Sequence, residues 1–227
     1  MQPELSQALA AFGLAAVRGR PVRIAIVDSG VYAGHPHVQG VALGRSLVPG
    51  SDPDDYIDRN GHGTAVAAAV REKSPAAELV AVKIFDRELA TTATLVAEAI
   101  AWAAGQRVDL INLSLGTTNP AHTALMQRAL DAARAARAVV VAAAEQGGLP
   151  SLPGSLQPVI AVAVDWQCPR DQVIVEAAGP DVIRLKASPY PRPVPGVPPE
   201  RNLRGISFAV ANATGIVAAQ LATSAAG

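Results

Sequence analysis

Three short segments of this chain hold side chains suited to nucleophilic chemistry, and each lies in a glycine-containing turn. Val27-Asp28-Ser29-Gly30 closes an apolar run, Gly61-His62-Gly63-Thr64 opens a small-residue run, and Gly205-Ile206-Ser207-Phe208-Ala209 opens another. A carboxylate, an imidazole and a hydroxyl are the parts of a nucleophile activated by a base that an acid orients. Taken singly, each has a plainer reading. Asp-Ser-Gly also suits an ordinary strand-to-loop turn, or the acidic residue of a nucleotide-binding or response-regulator fold. Gly-His-Gly-Thr also suits a helix-capping turn, although histidine is a poor cap, and serine at a helix start is commonly an N-cap. The conjunction of all three, each beside a predicted strand or helix, favours chemistry.

Position adds to residue type. An acid at the carboxyl edge of a buried parallel strand faces the crevice where open α/β sheets place ligands. At a helix start, the positive helix end disfavours a charged imidazole, so His62 is expected to lean neutral and to suit a general base. Ser207 would present its hydroxyl beside its own backbone N–H, where both an alkoxide and the oxyanion it creates are favoured.

The elements that must hold these residues are legible as alternating patterns. Val22–Val27, Glu78–Ile84, Val108–Leu113, Ala138–Ala143 and Val159–Val164 read as buried strands, with further strands at Val173–Val175 and Val182–Leu185. Between them Gly63–Arg71, Thr92–Ala104 and His122–Arg137 are Ala-rich and helical, as is Ser207–Leu221 at the end. This order predicts an α/β fold of three layers: a mostly parallel central sheet with helices on both faces. Ser188–Glu200, with six prolines, is excluded from helix and from central strand. The chain reads as one domain, residues 1–227.

Composition narrows the functional classes. Half of the 227 residues are hydrophobic, and 19 basic side chains balance 19 acidic ones, so bulk charge recruits neither nucleic acid nor an anionic membrane. No apolar run reaches the length of a membrane span. The single cysteine, Cys168, cannot form an internal disulfide and reads as an inert thiol in a reducing, cytoplasmic setting. Ala8–Val17 has the apolar character of a signal-peptide core, but the charged residue before it is Glu4 where a basic one is needed. Ser6–Val17 is therefore expected as a short helix packed on the domain.

With these segments assembled, the chain resembles the subtilisin-like serine peptidases, from about Val22 to Leu221. IAIVDSGV surrounds the acid, NGHGTAVAAAV the base and GISFAVANATG the nucleophile, and LVAVKIFD and AIAWAAGQRVDLINLSLG agree as well. The order Asp, His, Ser is that of subtilisin. The resemblance implies that Ser207 attacks a peptide carbonyl, that His62 takes its proton and that Asp28 orients His62. It also implies that Ser114, Leu115 and Gly116 form an edge that pairs with a peptide substrate.

Departures from the family pattern are informative. Where the family has Gly-Asn, with the asparagine binding the oxyanion, this chain reads AAAEQGG, so Gln146 is expected to supply the amide. Glu145 would then fall on the wall of the pocket for the residue before the scissile bond, partly desolvated and favouring a substrate Lys or Arg. His37 stands where many members have a calcium-binding acid, and the chain runs from Val70 through REKSP to the next strand without the calcium loop. His35 and His37 make a weak zinc pair and read as solvated loop residues. No metal and no cofactor are expected, and the family's propeptide and final segment are not recognisable.

Three activities fit this reading. The first is a dedicated processing endopeptidase, such as one removing the leader of a precursor peptide. The second is a peptide-binding module that the altered Glu145-Gln146 turn leaves catalytically weak. The third is acyl transfer to an amine, giving ligation or macrocyclisation through the same acyl-enzyme.

Overall fold

The computed structural model describes residues 2–88, 90–198 and 201–223. Its frame is an eight-stranded sheet of β1 (Arg23–Asp28), β2 (Leu43–Ser46), β3 (Glu78–Lys83), β4 (Leu110–Leu113), β5 (Val139–Ala143), β8 (Val159–Val164), β9 (Val173–Ala178) and β10 (Val182–Ala187). Their order is β2-β3-β1-β4-β5-β8-β10-β9, and β6 (Glu145–Gln146) with β7 (Leu149–Pro150) forms a separate hairpin. The pairings are parallel except that of β9, which runs antiparallel to β10. The expected mostly parallel sheet is thus present, with one short edge strand, β2, in addition.

Side-chain alternation in the buried strands sorts the core into two halves. Ile24, Ile26, Leu79, Leu110, Val141 and Ile160 face α2 (His62–Lys73) and α5 (Ile206–Thr223). Ala25, Val27, Val80, Ile111, Val140 and Val159 face α3 (Ala93–Gly105) and α4 (Thr123–Ala135). The even-numbered face of β1 therefore looks at α2 and α5, which decides where Asp28 points. Small residues let these two helices lie close: a Cβ on Gly215 would sit 2.8 Å from Cβ of Lys73.

α1 (Pro3–Ala11) buries Leu5, Ala8 and Leu9, as a helix packed on the domain should, but it stops well short of Val17. The cause is local: Phe12 caps the helix and Gly13 turns the chain with φ +86°. The proline-rich stretch has no helix or strand through Pro198; residues 199 and 200 lie outside the described part. Asn212 of α5 ties its start down, donating to the carbonyls of Ser188 and Tyr190 at 2.9 Å each.

Candidate active site

β1 lies between β3 and β4, and the chain leaves it through α2 to one neighbour and returns through α3 to the other. That reversal of direction opens a crevice at the carboxyl ends of β1 and β4. Asp28 closes β1 there, buried at 1% exposure. Its Oδ1 accepts the Ser29 N–H at 2.8 Å and meets His62 Nδ1 at 2.7 Å. A carboxylate only accepts, so Nδ1 carries the proton and Nε2 is left free to take one. Among the described residues, Oδ2 of Asp28 is buried without a hydrogen-bond partner.

His62 is the first residue of α2, behind Gly61 at φ +94°. The next residue must be glycine, since a Cβ at Gly63 would stand 2.1 Å from the Gly30 carbonyl oxygen. Close approach of this turn to β1 is what lets the imidazole reach Asp28. Burial pushes the imidazole toward its neutral form, but the hydrogen bond and charge of Asp28, with the charge of Asp58, outweigh it and hold His62 above its ordinary value. The neutral-leaning imidazole expected from the helix end alone is therefore reversed by the two carboxylates.

Ser207 is the second residue of α5, half-buried in the first turn, where backbone N–H groups lack intrahelical partners. Its hydroxyl donates to the Ser114 carbonyl at 3.1 Å rather than to His62. Phe208, next in α5, lies against the imidazole with ring centroids 5.7 Å apart. Asp28 of β1 and His62 of α2 thus meet, and the first turn of α5, which carries Ser207, reaches the same imidazole through Phe208.

Ser114, Leu115 and Gly116 continue the line of β4 past its last sheet pairing. Among the described residues, no backbone hydrogen bond outside the helices and strands involves Leu115 or Gly116. Thr117 then pairs with Leu152, and Gly116 passes so close to Ser151 that a Cβ would sit 2.2 Å from its hydroxyl. The result is an open backbone edge beside Ser207.

Residues 19–174 match the defining pattern of the Subtilase family, more than half of the chain. The chain belongs to the subtilase family.

Individual relatives match the chain as well. Subtilisin Savinase of Lederbergia lenta is 30% identical over 220 residues, 92% of this chain and 76% of that protein. Thermitase of Thermoactinomyces vulgaris is 36% identical over 180 residues, 71% of this chain and 60% of that protein. A thermostable alkaline protease of Halalkalibacterium halodurans is 34% identical over 156 residues, 64% of this chain. This subtilase spans 42% of that last protein's length, less than two thirds. In fold it is similar to the protease domain of PatA (S218A mutant), with TM-score 0.65, 23% identity and coverage of 89% of this chain and 81% of that one. A lanthipeptide protease structure matches with TM-score 0.65, 18% identity and coverage of 94% and 79%.

The subtilase departs from its family's pattern in the turn after β5. After β5, Glu145 and Gln146 pair with Pro150 and Leu149 across a turn of Gly147 (φ +60°) and Gly148 (φ +77°), a two-residue hairpin. Both Glu145 and Gln146 are exposed. The partly desolvated wall expected for Glu145 is not what this hairpin provides, because pairing with Pro150 leaves the carboxylate in solvent. Gln146 stands on the same solvated ribbon.

Several polar residues that frame the subtilase site carry no motif, so their types and spacing alone do not mark them. Asp58 accepts hydrogen bonds from the loop that leads into α2 and from α2 itself. Asn112 is fully buried in β4, donating to the Ser114 hydroxyl at 2.9 Å and accepting from Thr214 of α5 at 2.9 Å. Lys83, the register partner of Asp28 on β3, is 1% exposed and donates to the Ile57 carbonyl at 3.0 Å and to Asp86 at 2.9 Å. An asparagine inside the apolar strand LINL is the one legible signal, since a buried amide must be satisfied.

A hollow of about 330 Å³, lined by Tyr32, His35, His37, Thr64 and Arg192 among others, adjoins the start of α2. His35 and His37 stand with ring centroids 5.2 Å apart, and the His37 N–H donates to His35 Nδ1 at 3.1 Å. Among the described residues no group of three or more His, Cys, Asp or Glu side chains gathers as a metal site would require. Cys168 is buried, and burial together with Asp165 raises its thiol above the ordinary range.

Proposed function

We propose that this subtilase is a serine endopeptidase in which Asp28, His62 and Ser207 act as the triad on a peptide laid along Ser114–Gly116. The observation that carries the reading is the 2.7 Å contact of His62 Nδ1 with buried Asp28, made beside a serine in the first turn of a helix. Ser207 Oγ leaves the Ser114 carbonyl, gives its proton to His62 Nε2 and bonds to the scissile carbonyl carbon. The developing oxyanion is met by the Ser207 N–H and the Gln146 amide. Protonated His62 then passes its proton to the leaving amine, and water, deprotonated by the same imidazole, releases the acyl group. The open edge pairs with substrate backbone, so affinity comes from main-chain hydrogen bonds and selectivity from side chains beside them.

We further propose a restricted, processing role, maturation of a precursor peptide in the cytoplasm. The fold likeness to a lanthipeptide protease and the lone buried thiol support it. Incubation with candidate precursor peptides, followed by product mass, tests this. Addition of one water across a single bond supports processing, joining to an amine identifies a ligase, and binding without turnover identifies a peptide-binding module.

A further inference from the structure

Asp58 accepts five hydrogen bonds, four from residues 60–64 and one from Ser29 at the end of β1. Oδ1 takes the N–H groups of Asn60 at 2.9 Å and Gly61 at 2.8 Å, and the Ser29 hydroxyl at 3.0 Å. Oδ2 takes the Thr64 N–H at 2.8 Å and the Thr64 hydroxyl at 2.6 Å. The donors bracket His62 on both sides in sequence. Ser29 in turn accepts the Gly63 N–H at 2.9 Å and lies 3.3 Å from Asp28 Oδ1. One carboxylate thus binds the residues before His62, the residues after it and the residue next to the triad acid.

A helix cap needs at most one or two of these bonds. One of the remaining bonds goes to Ser29, which belongs to β1's end and not to the helix. With donors on both oxygens, the carboxylate is fixed in place beside the turn that carries the imidazole. We propose that Asp58 is a second, positioning carboxylate of the site, which sets the reach of His62 to Asp28 through Ser29 and favours the cation formed when His62 takes the nucleophile's proton. The proposal rests on the triad reading above.

The charges around His62 are few. Asp28 faces it from β1 and Asp58 acts from the loop before α2, whereas α5 presents the uncharged Phe208 ring. Removing the charge of Asp58 therefore moves the protonation of His62 to lower pH, while removing the Ser29 hydroxyl disturbs placement without changing charge.

The test compares wild type, Asp58→Asn, Ser29→Ala and the double variant by kcat/KM against pH, with fluorophosphonate labelling of the wild type as a control. Asp58→Asn is expected to lose about tenfold or more in kcat with its acid limb moved to lower pH. Ser29→Ala is expected to lose activity with the limb in place, and the double variant to be no worse than Asp58→Asn alone. An Asp58→Asn limb that coincides with the wild type's, or losses that simply add, overturns the proposal. Should Asp58→Asn fail to fold, Ser29→Ala decides: full wild-type activity there overturns it too. A wild type that does not label at all instead removes the triad reading beneath it.

Discussion

Ser114 and Ser207 hold each other by crossed hydrogen bonds: the Ser207 hydroxyl donates to the Ser114 carbonyl at 3.1 Å, and the Ser114 hydroxyl donates to the Ser207 carbonyl at 3.3 Å. Asn112 and Thr214 stand behind this clasp in the buried core. The carbonyl that holds the Ser207 hydroxyl belongs to the edge where substrate backbone is proposed to bind. In the proposed mechanism, a substrate N–H arriving there competes for that carbonyl and frees the hydroxyl to turn to His62.

The clasp depends on buried polar groups that are costly to orphan. Thr214→Val keeps the shape of Thr214 but removes the hydroxyl that Asn112 Oδ1 shares with the Val210 carbonyl. We expect a loss of about 2 kcal/mol, or roughly 4–8 °C in Tm for a chain of this size. A thermal melt checks it, and an unchanged Tm would mean that Asn112 finds another donor.

The raised basicity of His62 fixes the sign of two pH effects. Activity needs the neutral base, so its acid limb lies above the ordinary imidazole range and rises as pH passes the folded-state value. For stability the sign is opposite. A His whose folded value is raised contributes stability in full below its unfolded value, and loses it as pH rises through the folded one. The Tm difference between wild type and His62→Ala should therefore be larger at pH 5.5 than at pH 9 (about one unit below and well above the ordinary value). An equal difference at both would refute the coupling to Asp28.

Gln146 is proposed to meet the oxyanion. In subtilisin itself, removing the asparagine that serves this role costs about 10²–10³ in kcat. Gln146→Ala should show a loss of that order with KM little changed, if the longer glutamine reaches the same point. A kcat within about twofold of wild type would assign the role to other groups.

Glu145 is solvated on the hairpin, and an exposed ion pair is worth about 0–1 kcal/mol. Glu145→Gln should accordingly reduce any preference for Lys or Arg before the scissile bond by no more than about fivefold. A peptide-library profile measures this, and a far larger drop would place the carboxylate in a desolvated pocket.

Much of this architecture is legible because buried strands carry their own signature. RIAIVD and VIAVAV are continuous apolar runs with β-branched residues, and Thr92 before an Ala-rich run marks the start of α3, where its hydroxyl accepts the Leu95 N–H at 3.2 Å. β2 is not legible: LGRS has one large apolar residue and a glycine, and its pairing to β3 comes from tertiary context. The hairpin after β5 is written in Gln-Gly-Gly-Leu, but alignment to the family pattern treats those residues as a replaced asparagine turn instead. Asp58 escapes notice because its neighbours in sequence spell no motif and its bond to Ser29 is made only by the fold.

The proposed triad requires an activated Ser207. Intact-mass and peptide-mapping analysis after exposure to a fluorophosphonate measures it most directly. One adduct per chain, mapped to Ser207 and lost in both Ser207→Ala and His62→Ala, is the predicted result. Folded wild-type protein that takes up no adduct, or an adduct on another residue, would contradict it.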